Sequence, residues 1–212
     1  MEREEIGALA PTQICVGWWE VELRAARLRT RPWLERAALV ERKVLPVVRT
    51  SEGCARLLDG HHFVLALATS GWIDRVRVET VADLRGNRHP LLEMHRRGWL
   101  HLQLRGAETA GLGALPAHLI DCPDDPHRSL AWALRKAGGF GKSPHPFAEF
   151  AWADHLRSAV PLDPGAPVTA GALRRSQQLA HRNEARHLPG WLAAPQASPD
   201  EPIRRTTRRR AA

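Results

Sequence analysis

An α+β domain with a basic extension is what this sequence predicts, and three observations carry that expectation. Strand-like and helix-like segments mix through residues 1–160 without the regular strand–helix alternation of a parallel α/β fold. A run of three prolines and a glycine, Pro161-Leu162-Asp163-Pro164-Gly165-Ala166-Pro167, then reads as a linker. Beyond it the charge changes character. Residues 170–212 hold nine arginines against Glu184, Asp200 and Glu201, a net of +6, which leaves only +2 of the chain's +8 for everything before them. The expected division is therefore a folded domain over 1–160 and a linker with a basic tail over 161–212. At 212 residues with 43% hydrophobic content, the chain is long enough to bury a real core.

The elements can be justified in order. Lys43–Arg49 is an apolar run of strand length, Thr50-Ser51-Glu52-Gly53 carries turn residues, and Ala55–Leu58 resumes the extended pattern. This is a hairpin signal, and Pro46, which cannot donate to a ladder, favours an edge position. His61–Ser70 is apolar through Phe63, Val64, Leu65, Ala66 and Leu67 and meets a helix stop at Gly71. Arg75–Val81 alternates, with Val76 and Val78 against Arg75, Arg77 and Glu79, as in a strand with one wet face. Pro90–Arg97 reads as a short helix ending at Gly98. Asp125-Pro126 opens another, with Asp as cap and Pro in the first turn, running to Gly138-Gly139. A further helix starts near Pro146 and reaches about Ser158, and Thr169–His187 is a weak amphipathic helix built on Leu173, Leu179 and Leu188. From Pro189 onward, proline and arginine without core residues predict disorder.

Several classes are disfavoured. No run of 18 or more apolar residues exists, so no membrane helix is expected. MEREEIGALAPTQ lacks the basic and apolar regions of a secretory leader. Cys15, Cys54 and Cys122 are odd in number and lack metal spacing, which argues for a reducing cytoplasm over a disulfide framework. The basic tail suits a phosphate backbone of DNA or RNA, or simple solubilisation.

The most informative segment is Leu57-Leu58-Asp59-Gly60-His61-His62. A strand stops at Asp-Gly and a helix opens at once. The first-turn amides of such a helix lack helical partners, and its positive dipole end attracts phosphate or carboxylate. Gly60 removes a Cβ where ligand and backbone approach closely. Asp59 either caps the helix or holds a cation. His61 and His62 offer proton transfer, phosphate contact or metal binding, unless one is simply a packed core residue. Neighbouring helical residues project about 100° apart, so the pair does not share one ion on a regular helix.

Two further constellations bear carboxylates. In Asp121-Cys122-Pro123-Asp124-Asp125-Pro126-His127-Arg128-Ser129, Asp124 is a candidate Mg²⁺ ligand or general base, and Arg128 and Ser129 are candidate phosphate contacts. The plainer alternative makes Asp125 a helix cap and Asp124 a surface ion-pair partner. In 146–157, Glu149 shares a helical face with Trp152, Ala153 and Leu156. Burial there predicts a raised pKa and acid/base work, the alternative being a buried pairing with Arg128 or another arginine. Asp154 and Arg157 are spaced to pair on the surface. Gly138-Gly139-Phe140-Gly141-Lys142-Ser143 has the wrong spacing for a P-loop and follows a helix, so it reads as a flexible loop from which Lys142 reaches toward phosphate.

Together with Pro11-Thr12-Gln13-Ile14-Cys15-Val16-Gly17, these motifs resemble the ParB/sulfiredoxin superfamily over about 6–160, in its ParB-like nuclease branch with an Asp-Gly-His-His turn. The resemblance implies a compact domain with a small mixed sheet and packed helices. It also implies a nucleotide phosphate on the strand-to-helix turn. Relatives hydrolyse CTP, use ATP to repair an oxidised cysteine, or phosphorylate free serine. This chain departs from the kinase pattern because Phe63 stands where an arginine follows the histidines. It departs from sulfiredoxin because Cys54 lies five residues before Asp59 rather than on the turn. No helix-turn-helix reader follows. The resulting expectation is a nucleoside di- or triphosphate with Mg²⁺, bound by Asp59, Gly60, Arg128 and Ser129. His61, His62, Glu149 and Asp124 would serve hydrolysis, phosphoryl transfer or phosphodiester cleavage. The alternatives are a non-catalytic module that grips nucleic acid with its tail, and a small-molecule modifying enzyme.

Overall fold

A computed structural model describes residues 2–105 and 109–193. Five strands form one mixed sheet: β1 (Glu2–Glu5), β2 (Leu9–Pro11), β3 (Val44–Ser51), β4 (Cys54–Leu57) and β5 (Arg75–Asp83), in spatial order β1-β5-β3-β4-β2. β3 and β4 make the expected antiparallel hairpin, with Val47 opposite Leu57 and Arg49 opposite Ala55. β5 returns parallel to β3 after a helical crossover.

Pro46 corrects an expectation, because β3 is the central strand and not an edge. The carbonyl of Pro46 accepts the Leu58 N–H at 2.9 Å, but the ring has no N–H to return. The missing donor therefore faces the point where β4 ends, and no ladder bond is lost.

Seven α-helices accompany the sheet among the described residues. α1 (Trp18–Thr30) and α2 (Trp33–Arg42) precede β3, and the sequence patterns had assigned neither. α1 buries Val21, Ala25 and Leu28, a narrow stripe on a helix otherwise rich in Arg and Glu. α3 (His61–Ser70) follows β4 and stops at Gly71 as expected. α4 (Pro90–Arg96), α5 (Pro126–Lys136) and α6 (Ala148–Arg157) also fall where the sequence puts them. α1 and α3 cover one face of the sheet with Val21, Leu28, Val64, Leu65 and Leu67 against Leu45, Val47, Val76 and Val78.

The segment after Val160 differs from the expected linker and tail. α7 (Ala170–Ala180) buries Leu179 and Ala180, and Ala185 and Leu188 follow, all in one cluster with Leu130, Leu134, Trp152 and Leu156 of α5 and α6. Trp191 packs against the same cluster, so ordered packing passes beyond Pro189. The apolar residues of 170–191 are few, but α5 and α6 offer them a ready-made face. Arg174, Arg175, Arg182 and Arg186 are exposed here, whereas the remaining arginines of the basic tail lie outside the described residues.

Candidate functional site

β4 ends at Leu57, the chain turns through Asp59 and Gly60, and α3 begins at His61. Gly60 adopts φ +90, a left-handed conformation, and a Cβ on it would lie 2.6 Å from Leu45 Cδ2. Glycine is thus required twice, by backbone and by packing. No side chain caps α3, so its first-turn amides remain available. Asp59 is exposed beside them and is not the cap.

The turn opens into a cleft of about 700 Å³. Asp59, Gly60, His61, His62 and Phe63 form one side, with Lys43 beside them. Glu20 and Arg24 of α1, Arg128, Trp132 and Arg135 of α5, and the segment from Phe140 to Phe150 form the rest. Five cationic side chains face three carboxylates, which favours an anionic ligand.

Both histidines are fixed by backbone amides. His61 Nε2 receives the Thr12 N–H at 3.2 Å, while the Thr12 hydroxyl donates to the Leu57 carbonyl at 2.7 Å. His62 Nε2 receives the Gly17 N–H at 2.9 Å. An acceptor Nε2 means that each neutral ring carries its proton on Nδ1. Burial lowers the His61 pKa to about 4, Asp59 opposing the shift and Arg128 adding to it. Burial and then the nearby Arg128 hold His62 well below the usual range. At neutral pH the two rings are therefore uncharged Nδ1–H donors.

Arg128 is 4% exposed and has its guanidinium 4.0 Å from the centre of the Phe150 ring. One nitrogen donates to Glu149 at 3.2 Å, while Nε and Nη1 are buried without an acceptor. The indole N–H of Trp132 is likewise buried without one. Such donors are costly to leave unmet, and both residues line the cleft.

Glu20 was not singled out by sequence and is the most deeply buried carboxylate lining the cleft. It is 2% exposed. Oε1 takes the Arg24 Nε–H at 2.7 Å, whereas Oε2 has no hydrogen-bond partner and lies 3.6 Å from His62 Nε2. Burial raises its pKa to about 7, against the attraction of Arg24 and with help from the negative charge of Glu149. Its helix was unassigned, and apart from Arg24 the groups around it, His62, Ser129 and Glu149, lie far along the chain.

Of the two readings of Glu149, the structure shows the buried pairing with Arg128 and a second arginine, and not the raised pKa. Burial alone would raise its pKa, but the charges of Arg128 and then Arg135, which donates at 2.7 Å, outweigh it and lower the value. Glu149 is an ionised clamp on two arginines. Asp124 does not line the cleft. Its Oδ1 receives the Trp18 N–H at 2.8 Å and its Oδ2 the Gly165 N–H at 2.7 Å, so it holds the start of α1. No group of three His, Cys, Asp or Glu suited to a metal occurs among the described residues, and the donor set at Asp124 does not fit Mg²⁺. Ser129 is also spent on packing. Its Oγ accepts the Glu20 N–H at 3.1 Å where α1 and α5 meet, close enough that a Cβ on Gly17 would fall 2.4 Å from that oxygen.

Asp125 caps α5 through the His127 N–H at 3.1 Å, as expected, and also binds Arg157 in two-pronged fashion at 3.0 and 2.8 Å. Arg157 reaches Asp154 as the spacing predicted. The 138–143 loop forms a wall of the cleft, with Lys142 on it, and Gly141 N–H donates to Gly190 O at 2.8 Å. No helix among the described residues is long and apolar enough to cross a membrane.

Comparison with known proteins fits this arrangement. No curated protein matches the chain. Among solved structures, protein Atu1540 from Agrobacterium tumefaciens is similar at 36% identity and a TM-score of 0.80, over 92% of this chain and 97% of that one. That span exceeds residues 1–160, so the likeness continues past Val160. The family model described as "Putative ParB-like nuclease" matches residues 3–158, which include the turn, α1, α5 and α6. By that match, the chain belongs to the ParB-like nuclease family.

Proposed function

We propose that the cleft binds a nucleotide phosphate and catalyses attack of a hydroxyl or water oxygen on phosphorus. One observation carries this reading: Arg128, buried with two unmet donors, and the uncapped first turn of α3 line the same cleft. Arg128 and the α3 amides neutralise phosphate oxygens, and His61 and His62 supply Nδ1–H donors. Glu20, with a free Oε2 and a pKa near neutrality, takes the proton from the attacking oxygen as its bond to phosphorus forms and the bond to the leaving oxygen breaks. Asp59, an exposed carboxylate lining the cleft, would be the residue to hold a divalent cation, which would offset the charge of the phosphate. Membership of the ParB-like nuclease family supports a nucleic-acid-related substrate.

A melting-temperature panel of nucleoside di- and triphosphates, with and without Mg²⁺, tests it. A ligand at about a hundred times its dissociation constant adds ~2.7 kcal/mol. For a chain of this size that is a rise of roughly 5–10 °C. Arg128→Met should lose most of that rise. If no nucleotide shifts the wild-type protein, the reading fails.

A further inference from the structure

We propose that Lys43 supplies the phosphate-binding cation at the mouth of α3 that the turn itself does not provide. This rests on the reading of the cleft given above. Phe63 is the third residue of α3, lines the cleft beside Gly60, and is uncharged. The Lys43 ammonium stands over that same ring, 4.9 Å from its centre. It also closes on the turn. A Cβ on Gly60 would lie 3.6 Å from Lys43 Cε and 3.7 Å from Nζ. The ammonium thus sits beside the uncapped amides, brought there from another part of the chain.

Three features fit a ligand role better than a packing role. Lys43 forms no ion pair among the described residues, although Asp59 is close in the chain to Gly60 and both line the cleft. Its backbone is held on both sides, by the Lys43 N–H to Val40 O at 3.3 Å and by the start of β3 at Val44. Its stem is confined by Phe63 and Gly60, so little freedom remains to be lost on binding. The helix end does not stand alone as a site, since the buried, unmet donors of Arg128 line the same cleft. Phe63 therefore acts as a holder of the cation, and Lys43 as the contact.

Titration calorimetry with inorganic pyrophosphate distinguishes this from its alternatives. Wild type should bind. Lys43→Gln should bind roughly tenfold more weakly, the loss of one charge-assisted contact at a half-exposed position, and with a shallower salt dependence. Lys43→Arg should recover most of the affinity, and Phe63→Leu should show a smaller loss with the charge intact. Lys43 is half-buried and unpaired, so Lys43→Gln should melt as wild type does. If wild type binds pyrophosphate and Lys43→Gln matches it in affinity and salt slope, the assignment of Lys43 is wrong and the cleft reading stands. If wild type does not bind pyrophosphate, the cleft reading falls and the role of Lys43 with it.

Discussion

Replacing Glu20 by Gln should make the protein's stability less sensitive to alkali by an amount the structure sets. The carboxyl is 2% exposed, and burial raises its pKa from 4.5 to about 7. An acid whose folded pKa lies above its unfolded value binds its proton more tightly when folded. Its stabilisation is complete below the unfolded pKa and is lost as pH rises through the folded one. Over the full window this group is worth about 3 kcal/mol. Between about pH 5.5 and about pH 8.5 the linkage amounts to roughly 2 kcal/mol. His61 titrates the other way. Its folded pKa near 4 is below the usual 6.5, so it destabilises the fold as pH falls. That term is common to wild type and variant and cancels in their difference. Urea unfolding of both proteins at the two pH values is the assay. Glu20→Gln should gain roughly 2 kcal/mol relative to wild type on going to the higher pH. A difference that stays constant with pH would refute the burial argument, and with it the assignment of Glu20 as a proton acceptor near neutrality.

The remaining outcomes come from two glycine substitutions and two truncations. Gly60→Ala should cost about 2–4 kcal/mol, because it adds left-handed strain and a clash with Leu45. Gly53→Ala should cost only about 1 kcal/mol, since its φ is +72 but nothing lies within 4 Å of the added Cβ. Equal losses at both sites would remove the packing argument for Gly60. Truncation after Val160 should destabilise the body by roughly 3–6 kcal/mol, through loss of buried Leu179 and Leu188. Truncation after Ala193 removes five arginines and should weaken any DNA affinity and flatten its salt dependence. If the chain ending at Val160 melts like wild type, the contribution of α7 to the core is wrong.

Local signals proved sufficient for much of the fold. The β3–β4 hairpin, α3 with its stop at Gly71, and α5 with its Asp125 cap all follow from residues within a few positions of one another. α1 and α2 did not announce themselves, because Arg and Glu crowd a narrow apolar stripe, and their burial depends on α3 and the sheet. Pro46 misled for a related reason: a proline tolerates a central strand when its neighbour has already ended. At the site, the turn and Arg128 were legible. Glu20 and Lys43 were not, since each meets the turn from another element, and Thr12 and Gly17 stood only in a motif of the resemblance, with their bonds to His61 and His62 set by the fold.

The sequence by itself determined where a strand gives way to a helix at Gly60, because conformational preference and apolar spacing are properties of neighbouring residues. The three-dimensional arrangement alone decided which charges survive. The sequence left Glu149 as either an acid with a raised pKa or a partner of arginine; two guanidiniums make it the second and lower its pKa, while burial without a partner for Oε2 raises that of Glu20. Asp124 and Ser129, plausible ligands on paper, are consumed by backbone amides at the start of α1. A side chain's chemistry depends on the distance and solvation of groups brought in from elsewhere, and those are set only when the helices close over the sheet.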